Sequence, residues 1–236
     1  MLIRPLAPGE CQVWWARPLT DASPDALAGL LDDVERSRRA TFRRDEDRAR
    51  FTVAAALLRL LGGAHLGVAP ERLTVTRSCP DCDRPHGRPA LPAAGWECSV
   101  SHSGDRVAVA IGRTGALGVD VEAQVRRADV DVREMVLSPE ESAAPDELIT
   151  YWVRKEAVLK ATGEGLRVGL KQVVVSPADA APALVRAHRD DLPGRTVLRT
   201  LDPGAGYRAC LAVLDTPTPA VTELDAGPVL AEASSR

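Results

Sequence analysis

Two stretches of this chain place reactive side chains at spacings that could do chemistry. In Gly118-Val119-Asp120-Val121-Glu122, valines alternate with acids. Strand side chains alternate with period two, so Asp120 and Glu122 project from one face. Two carboxylates that close repel unless a cation lies between them. Oxygen ligands suit a hard divalent ion, Mg2+ foremost, because it uses a few carboxylates together with substrate phosphates. Two solvated acids on a half-exposed edge strand would give the same letters. The second stretch, Tyr151 to Leu166, is free of Gly and Pro up to Ala161 and reaches Gly163 where a left-handed cap would close a helix. At 3.6 residues per turn, Trp152, Glu156 and Lys160 share one stripe, which sets a carboxylate beside an ammonium. As an isolated surface pair these two would contribute only about 0.3–0.5 kcal/mol. The chain has three lysines among 30 basic residues, and Lys155 and Lys160 both lie here. A compact ammonium can exchange a proton and Arg cannot.

Further polar groups stand at the ends of predicted elements. A strand from Trp96 to Val100 runs into Ser101-His102-Ser103-Gly104, and a strand over 107–111 and a turn at Gly112 to Gly115 lead into the acidic strand. Cys79-Pro80-Asp81-Cys82 with His86 invites a zinc site, with Cys98 as a distant fourth ligand. One Cys-x-x-Cys is incomplete for a closed tetrahedral site, so the reading taken is a turn into Gly87-Arg88-Pro89, where Arg88 can reach a phosphate. Helices are predicted over 27–39 and from Asp45 to Leu61, ended by Gly62-Gly63, with seven arginines from Arg36 to Arg50 that include Arg38. Arg offers a fork of donors that matches phosphate, although charge runs are commonly solvated faces. Residues 123–131 read as a polar loop, and Ser138-Pro139-Glu140-Glu141 reads as a helix start. No Gly-x-Ser-x-Gly elbow occurs, and Ser101, His102 and Ser103 as neighbours cannot form a triad, which disfavours a serine hydrolase.

Taken together, Gly118 to Glu122, then Trp152-Val153-Arg154-Lys155-Glu156-Ala157 with Lys160 and Gly163 to Leu166, resemble the Sfp-type 4′-phosphopantetheinyl transferases. His86-Gly87-Arg88-Pro89 and Val100 to Gly104 fit that family in the right order, and the resemblance spans roughly residues 30 to 170. Val153, where the family usually has Ser or Thr, and Arg88, where many members have Lys, depart from the pattern. The resemblance implies transfer of the 4′-phosphopantetheine arm of coenzyme A to a serine of an apo acyl or peptidyl carrier protein, releasing 3′,5′-ADP. It implies Asp120, Glu122 and Glu156 as Mg2+ ligands, with Glu156, directly or through a water, accepting the serine proton. Lys160 would stabilise the leaving diphosphate, and Arg38, Arg50, Arg88, Ser101 and His102 would hold the rest of coenzyme A. Glu141 matches an acid considered for catalysis in the family. A phosphohydrolase using the same carboxylates, or a non-catalytic coenzyme A or carrier-binding module, are the alternatives.

With 236 residues, 45% hydrophobic and 27% charged, the chain has the composition of a globular protein of one large or two small domains. No apolar run approaches the roughly 20 residues of a membrane helix, and the start of the chain lacks a signal peptide's apolar core. Five cysteines, an odd number, argue against a disulfide framework, and a net charge of −3 gives no polyanion-binding signature. The expectation is a cytoplasmic, monomeric enzyme without nucleic-acid or membrane partners. The element pattern predicts an α+β fold with largely antiparallel sheet. The resemblance adds two similar subdomains, 1–113 and 114–215, related by a pseudo-twofold axis. Residues 216–236, Pro-interrupted and then Ala-rich, read as a flexible tail.

Overall fold

The computed structural model describes residues 3–21, 23–79, 81–82, 84–124 and 130–235. The chain folds as α+β, with largely antiparallel sheets in four layers, helix on sheet on sheet on helix. The strands are β1 (Glu10–Ala16), β2 (Glu97–Ser103), β3 (Arg106–Gly112), β4 (Leu117–Ala123), β5 (Val174–Val175), β6 (Leu184–Arg186), β7 (Thr196–Leu201), β8 (Tyr207–Leu214) and β9 (Ala220–Asp225). The α-helices are α1 (Pro24–Leu27), α2 (Asp33–Thr41), α3 (Asp45–Leu66), α4 (Val130–Val136), α5 (Leu148–Thr162) and α6 (Gly227–Ser234). One sheet has the order β2-β3-β1-β9, a second β4-β8-β7, and β5 pairs with β6. The chain passes from the first sheet to the second across residues 113–116.

Alternation along the strands builds the layers. In the first sheet Trp14, Ala16, Val107, Val109 and Ile111 face α3, while Cys11, Val13, Ala108 and Ala110 face the second sheet. There they meet Leu117, Val119 and Val121 of β4 and Ala209, Leu211 and Val213 of β8. The opposite face of β8, Cys210, Ala212 and Leu214, packs with Val153, Ala157 and Ala161 of α5. This leaves Gly118 and Asp120 of β4 turned toward α5. Among the described residues no helix is long and apolar enough to cross a membrane.

Several elements depart from expectation. Gly62-Gly63 does not end α3, which runs on to a left-handed cap at Gly67 with φ 67°. Both glycines serve close packing, since a Cβ at Gly62 would lie 2.7 Å from Leu73 Cδ2 and one at Gly63 would lie 2.5 Å from the Val68 carbonyl oxygen. Around residues 73–77 the backbone pairing is one bridge, Thr76 to Ala90. Residues 138–141 form a turn rather than a helix start, because Glu141 turns inward to Lys155. Of the loop expected over 123–131, residues 125–129 lie outside the described residues. The expected tail is ordered: β9 runs parallel to β1, with Glu10 opposite Ala220 through Trp15 opposite Asp225. Beyond it, Ala226, Val229 and Leu230 recur at helical spacing and bury against the first core.

Candidate functional site

The site is made where β4 meets α5. The helix lies so close that a Cβ at Gly118 would be 2.2 Å from the Ala157 carbonyl oxygen and 2.4 Å from the Ala161 nitrogen, so only glycine permits this contact. That approach brings Asp120 and Glu122 to the same cleft as Trp152, Glu156 and Lys160, all five of which line it. The back of α5 is anchored elsewhere. The buried Arg154 guanidinium donates to the Ser176 and Pro177 carbonyls at 2.8 and 2.7 Å, and Lys155 Nζ donates to the Val136 and Leu170 carbonyls and to Glu141 Oε2. The helix ends at Gly163, φ 74°.

Three serines on β2 stitch the two sheets together and hold the acids. Ser99, Ser101 and Ser103 accept from the backbone N–H groups of Val119, Val121 and Ala123 at 3.0, 3.3 and 3.2 Å. Ser101 Oγ donates to Asp120 Oδ1 at 2.8 Å, and Ser103 Oγ donates to Glu122 Oε2 at 2.6 Å. Lys160 Nζ donates to Asp120 Oδ1 at 2.7 Å, to Ser101 Oγ at 2.9 Å and to the Val119 carbonyl at 3.1 Å. Among the described residues, Asp120 Oδ2 and Glu156 Oε1 are buried without a hydrogen-bond partner. Burial, and next the negative charge of Asp120, push the Glu156 carboxyl above the usual range. Burial also raises Glu122, against the opposing hydrogen bond from Ser103.

The facing wall is basic. Arg38, Arg77, His86 and His102 line the same cleft of about 380 Å³, and Arg38 and His86 also line an adjoining groove of about 740 Å³. Within the described residues, the Arg38 guanidinium has no ion pair or hydrogen bond and lies 5.9 Å from the Phe51 ring centroid. Burial, and then the neighbouring Arg77 charge, lower its pKa. Arg77 pairs with Glu35 at 3.2 Å and keeps a buried Nε without a partner. The protein mass around His102, followed by the charges of Lys160 and Arg50, lowers its pKa and keeps the ring neutral near pH 7. The cleft is thus bipolar, acids facing the free Arg38 guanidinium and the Arg77 and His102 donors, a polarity suited to a metal-bound polyphosphate.

Other expected groups lie elsewhere or are engaged. Ser101, expected to bond phosphate, is buried and its one proton goes to Asp120, so it positions a carboxylate. Arg50 pairs with Asp47 and donates to the Gly104 carbonyl at 2.8 Å. Arg88 turns out of the cleft to Glu97 at 2.5 Å and the Ala161 carbonyl at 3.1 Å. The Glu141 side chain is turned inward, accepts from the Ser138 and Val175 N–H groups at 2.9 Å each and pairs with Lys155, away from the cleft. Cys98 bonds the Pro89 carbonyl and is not gathered with Cys79, Cys82 and His86, whose ligand atoms lie within 4.8 Å of one another. Sequence reasoning missed Arg77, which no motif marks, and the serine seam, whose alternation in Ser99-Val100-Ser101-His102-Ser103 was visible.

The donor set fits a hard divalent cation: three carboxylates on one wall, two of them with a buried oxygen that has no partner. The chain matches proteins of known type on these same segments. Residues 116–212, which span β4, α5 and β8, match the model of the 4′-phosphopantetheinyl transferase superfamily. Over 185 residues the chain is 29% identical to the 4′-phosphopantetheinyl transferase HetI of Nostoc sp., covering 72% of this chain and 75% of that protein. Over 193 residues it is 28% identical to a phosphopantetheinyl transferase of Thraustochytrium sp., covering 70% and 65%. The cleft is thus built on the segment that matches this superfamily model, and the chain is similar to 4′-phosphopantetheinyl transferases there.

Proposed function

We propose that the protein transfers the 4′-phosphopantetheine arm of coenzyme A to a serine of an apo carrier protein, acting as a cytoplasmic monomer. The observation that carries this reading is the pair of unpartnered buried oxygens, Asp120 Oδ2 and Glu156 Oε1, in one cleft with the free Arg38 guanidinium. Asp120, Glu122 and Glu156 would hold Mg2+, which when bound neutralises charge on the pyrophosphate.

In the reaction the serine oxygen forms a bond to the phosphorus that carries the pantetheine arm. The bond from that phosphorus to the oxygen of 3′,5′-ADP breaks, and the electron pair leaves with the ADP. The serine proton goes to Glu156, directly or through a water it orients, and from there to solvent. Lys160 fixes Asp120 and offsets its charge, so that Glu156 can ionise beside it. Arg38, Arg77 and His102 face the phosphates, and the adjoining groove shared by Arg38 and His86 gives room for a ligand longer than the cleft.

The test is incubation with coenzyme A, Mg2+ and a panel of apo carrier proteins, followed by intact mass spectrometry of the carriers. The expected result is one phosphopantetheine added per carrier, dependent on Mg2+. Coenzyme A cleaved with every carrier unmodified would make the protein a phosphohydrolase. Coenzyme A bound but neither cleaved nor transferred would make it a binding module.

A further inference from the structure

Apart from the cleft, one cluster among the described residues has the chemistry of a metal site. Cys79, Cys82 and His86 bring their ligand atoms within 4.8 Å of one another, with Cys82 Sγ and His86 Nε2 3.0 Å apart. The loop that carries them is closed at its base, where Gly87 N–H donates to the Arg77 carbonyl at 2.8 Å and Thr76 bridges to Ala90. A Cβ at Gly87 would lie 2.0 Å from the Ser78 carbonyl oxygen, so glycine is what lets the chain double back and converge the three side chains.

Ordinary packing does not hold this loop. No described residue between 74 and 90 is buried. Val75 packs against the first core and Arg77 pairs with Glu35 at the base of the loop, but among the described residues nothing apolar anchors its tip, and metal ligation would supply order there. The remaining cysteines contrast sharply: Cys11, Cys98 and Cys210 are buried, and burial pushes each thiol up to about 12. Among the described residues, the loop pair is less buried than these three, and Cys82 lies beside an imidazole.

We propose that Cys79, Cys82 and His86 bind a zinc ion that clasps the 77–87 loop and so fixes the His86 and Gly87 wall of the cleft. Two thiolates and one imidazole form a borderline-soft set that selects zinc over the hard cation suited to the carboxylates. Tetrahedral zinc holds sulfur and nitrogen ligands ~3.5 Å apart, so these exposed side chains need move only slightly to admit it. Asp81 is directed instead to Arg167 at 3.4 Å, which ties the loop to the end of α5, and water completes the coordination. This inference does not depend on what the cleft transfers.

The experiment uses the full chain without a metal-binding tag, purified under reducing conditions without chelator. Elemental analysis should find about one zinc per chain, and none in the C79S/C82S variant. The metal-free wild-type protein is then titrated with Co2+. A thiolate-to-cobalt charge-transfer absorption in the near ultraviolet should appear, and should be missing from C79S/C82S, because the carboxylate cleft has no sulfur to give it. Removing zinc should also speed tryptic cleavage after Arg77, at the base of the loop, a readout that needs no mutation. Equal zinc in wild type and C79S/C82S, or no thiolate band in reduced wild-type protein, overturns the proposal. A Cys79–Cys82 disulfide that persists in reductant with excess zinc would overturn it as well.

Discussion

Glu156 sits where burial and the Asp120 charge oppose its ionisation, and the same features make it useful. Glu156→Gln keeps its size and removes its charge. Transfer should fall by about two orders of magnitude or more, the usual loss for a general base or electrostatic stabiliser, in assays at saturating Mg2+. Near-wild-type transfer would sink the mechanism. Stability should move the other way. Glu122 and Glu156 both have folded-state values above their unfolded ones. Their contribution to stability is complete below the unfolded pKa and is lost as pH rises through the raised folded values. In EDTA, the melting temperature of Glu156→Gln relative to wild type should therefore rise from mildly acidic to neutral pH, a difference that leaves out the opposite slope from the lowered His65 and His102. A difference that stays flat or falls over this range would contradict the environment described for Glu156. The acids themselves were legible, because alternation along a strand and the i,i+4 spacing on a helix are local properties. Arg77 was not legible, since its value lies in an unpartnered buried Nε that depends on the placement of Glu35, 42 residues away.

At the scale of elements, the contact between β4 and α5 decides whether the acids converge. Gly118→Ala would drive a methyl group into the helix backbone at Ala157 and Ala161. The helix must then shift, costing about 1–3 kcal/mol, and Asp120 moves away from Glu156. Thermal melting and Mg2+-dependent transfer should both suffer. Gly194→Ala, where a Cβ meets nothing within 4 Å, should stay within about 0.5 kcal/mol of wild type. If the two variants melt alike, the close approach is not what builds the site. The strand and the helix were each readable from the sequence, including the cap at Gly163. What propensity could not show was that Gly62 and Gly63 would sit inside a helix, because the reason is the proximity of Leu73 and Val68. Glu141 likewise looked like a helix-start acid and is instead drawn inward by Lys155 and the Val175 N–H.

For the whole molecule, the segment from 217 onward joins the first half of the chain. Deleting residues 217–235 removes the strand beside β1 and the burial of Ala226, Val229 and Leu230. Burying a Val and a Leu alone contributes at least about 3 kcal/mol, so the melting temperature should fall by roughly 6 °C or more. An unchanged melt would mean that this segment is dispensable. The α+β class was legible from the element pattern, whereas this return was hidden. Pro217 and Pro219 mark a break, and the spacing of Ala226, Val229 and Leu230 has meaning only against a core assembled from residues 6 to 111.

The parallel pairing of β9 with β1 also has a consequence during synthesis. Residues 10–16 leave the ribosome about two hundred residues before their partner strand 220–225. Until then β1 can pair with β3 on one side only, and its other edge stays open to any extended strand it meets. A nascent chain of this protein therefore spends most of its translation with an unfinished sheet, and chaperone occupancy should persist until residue 225 has emerged.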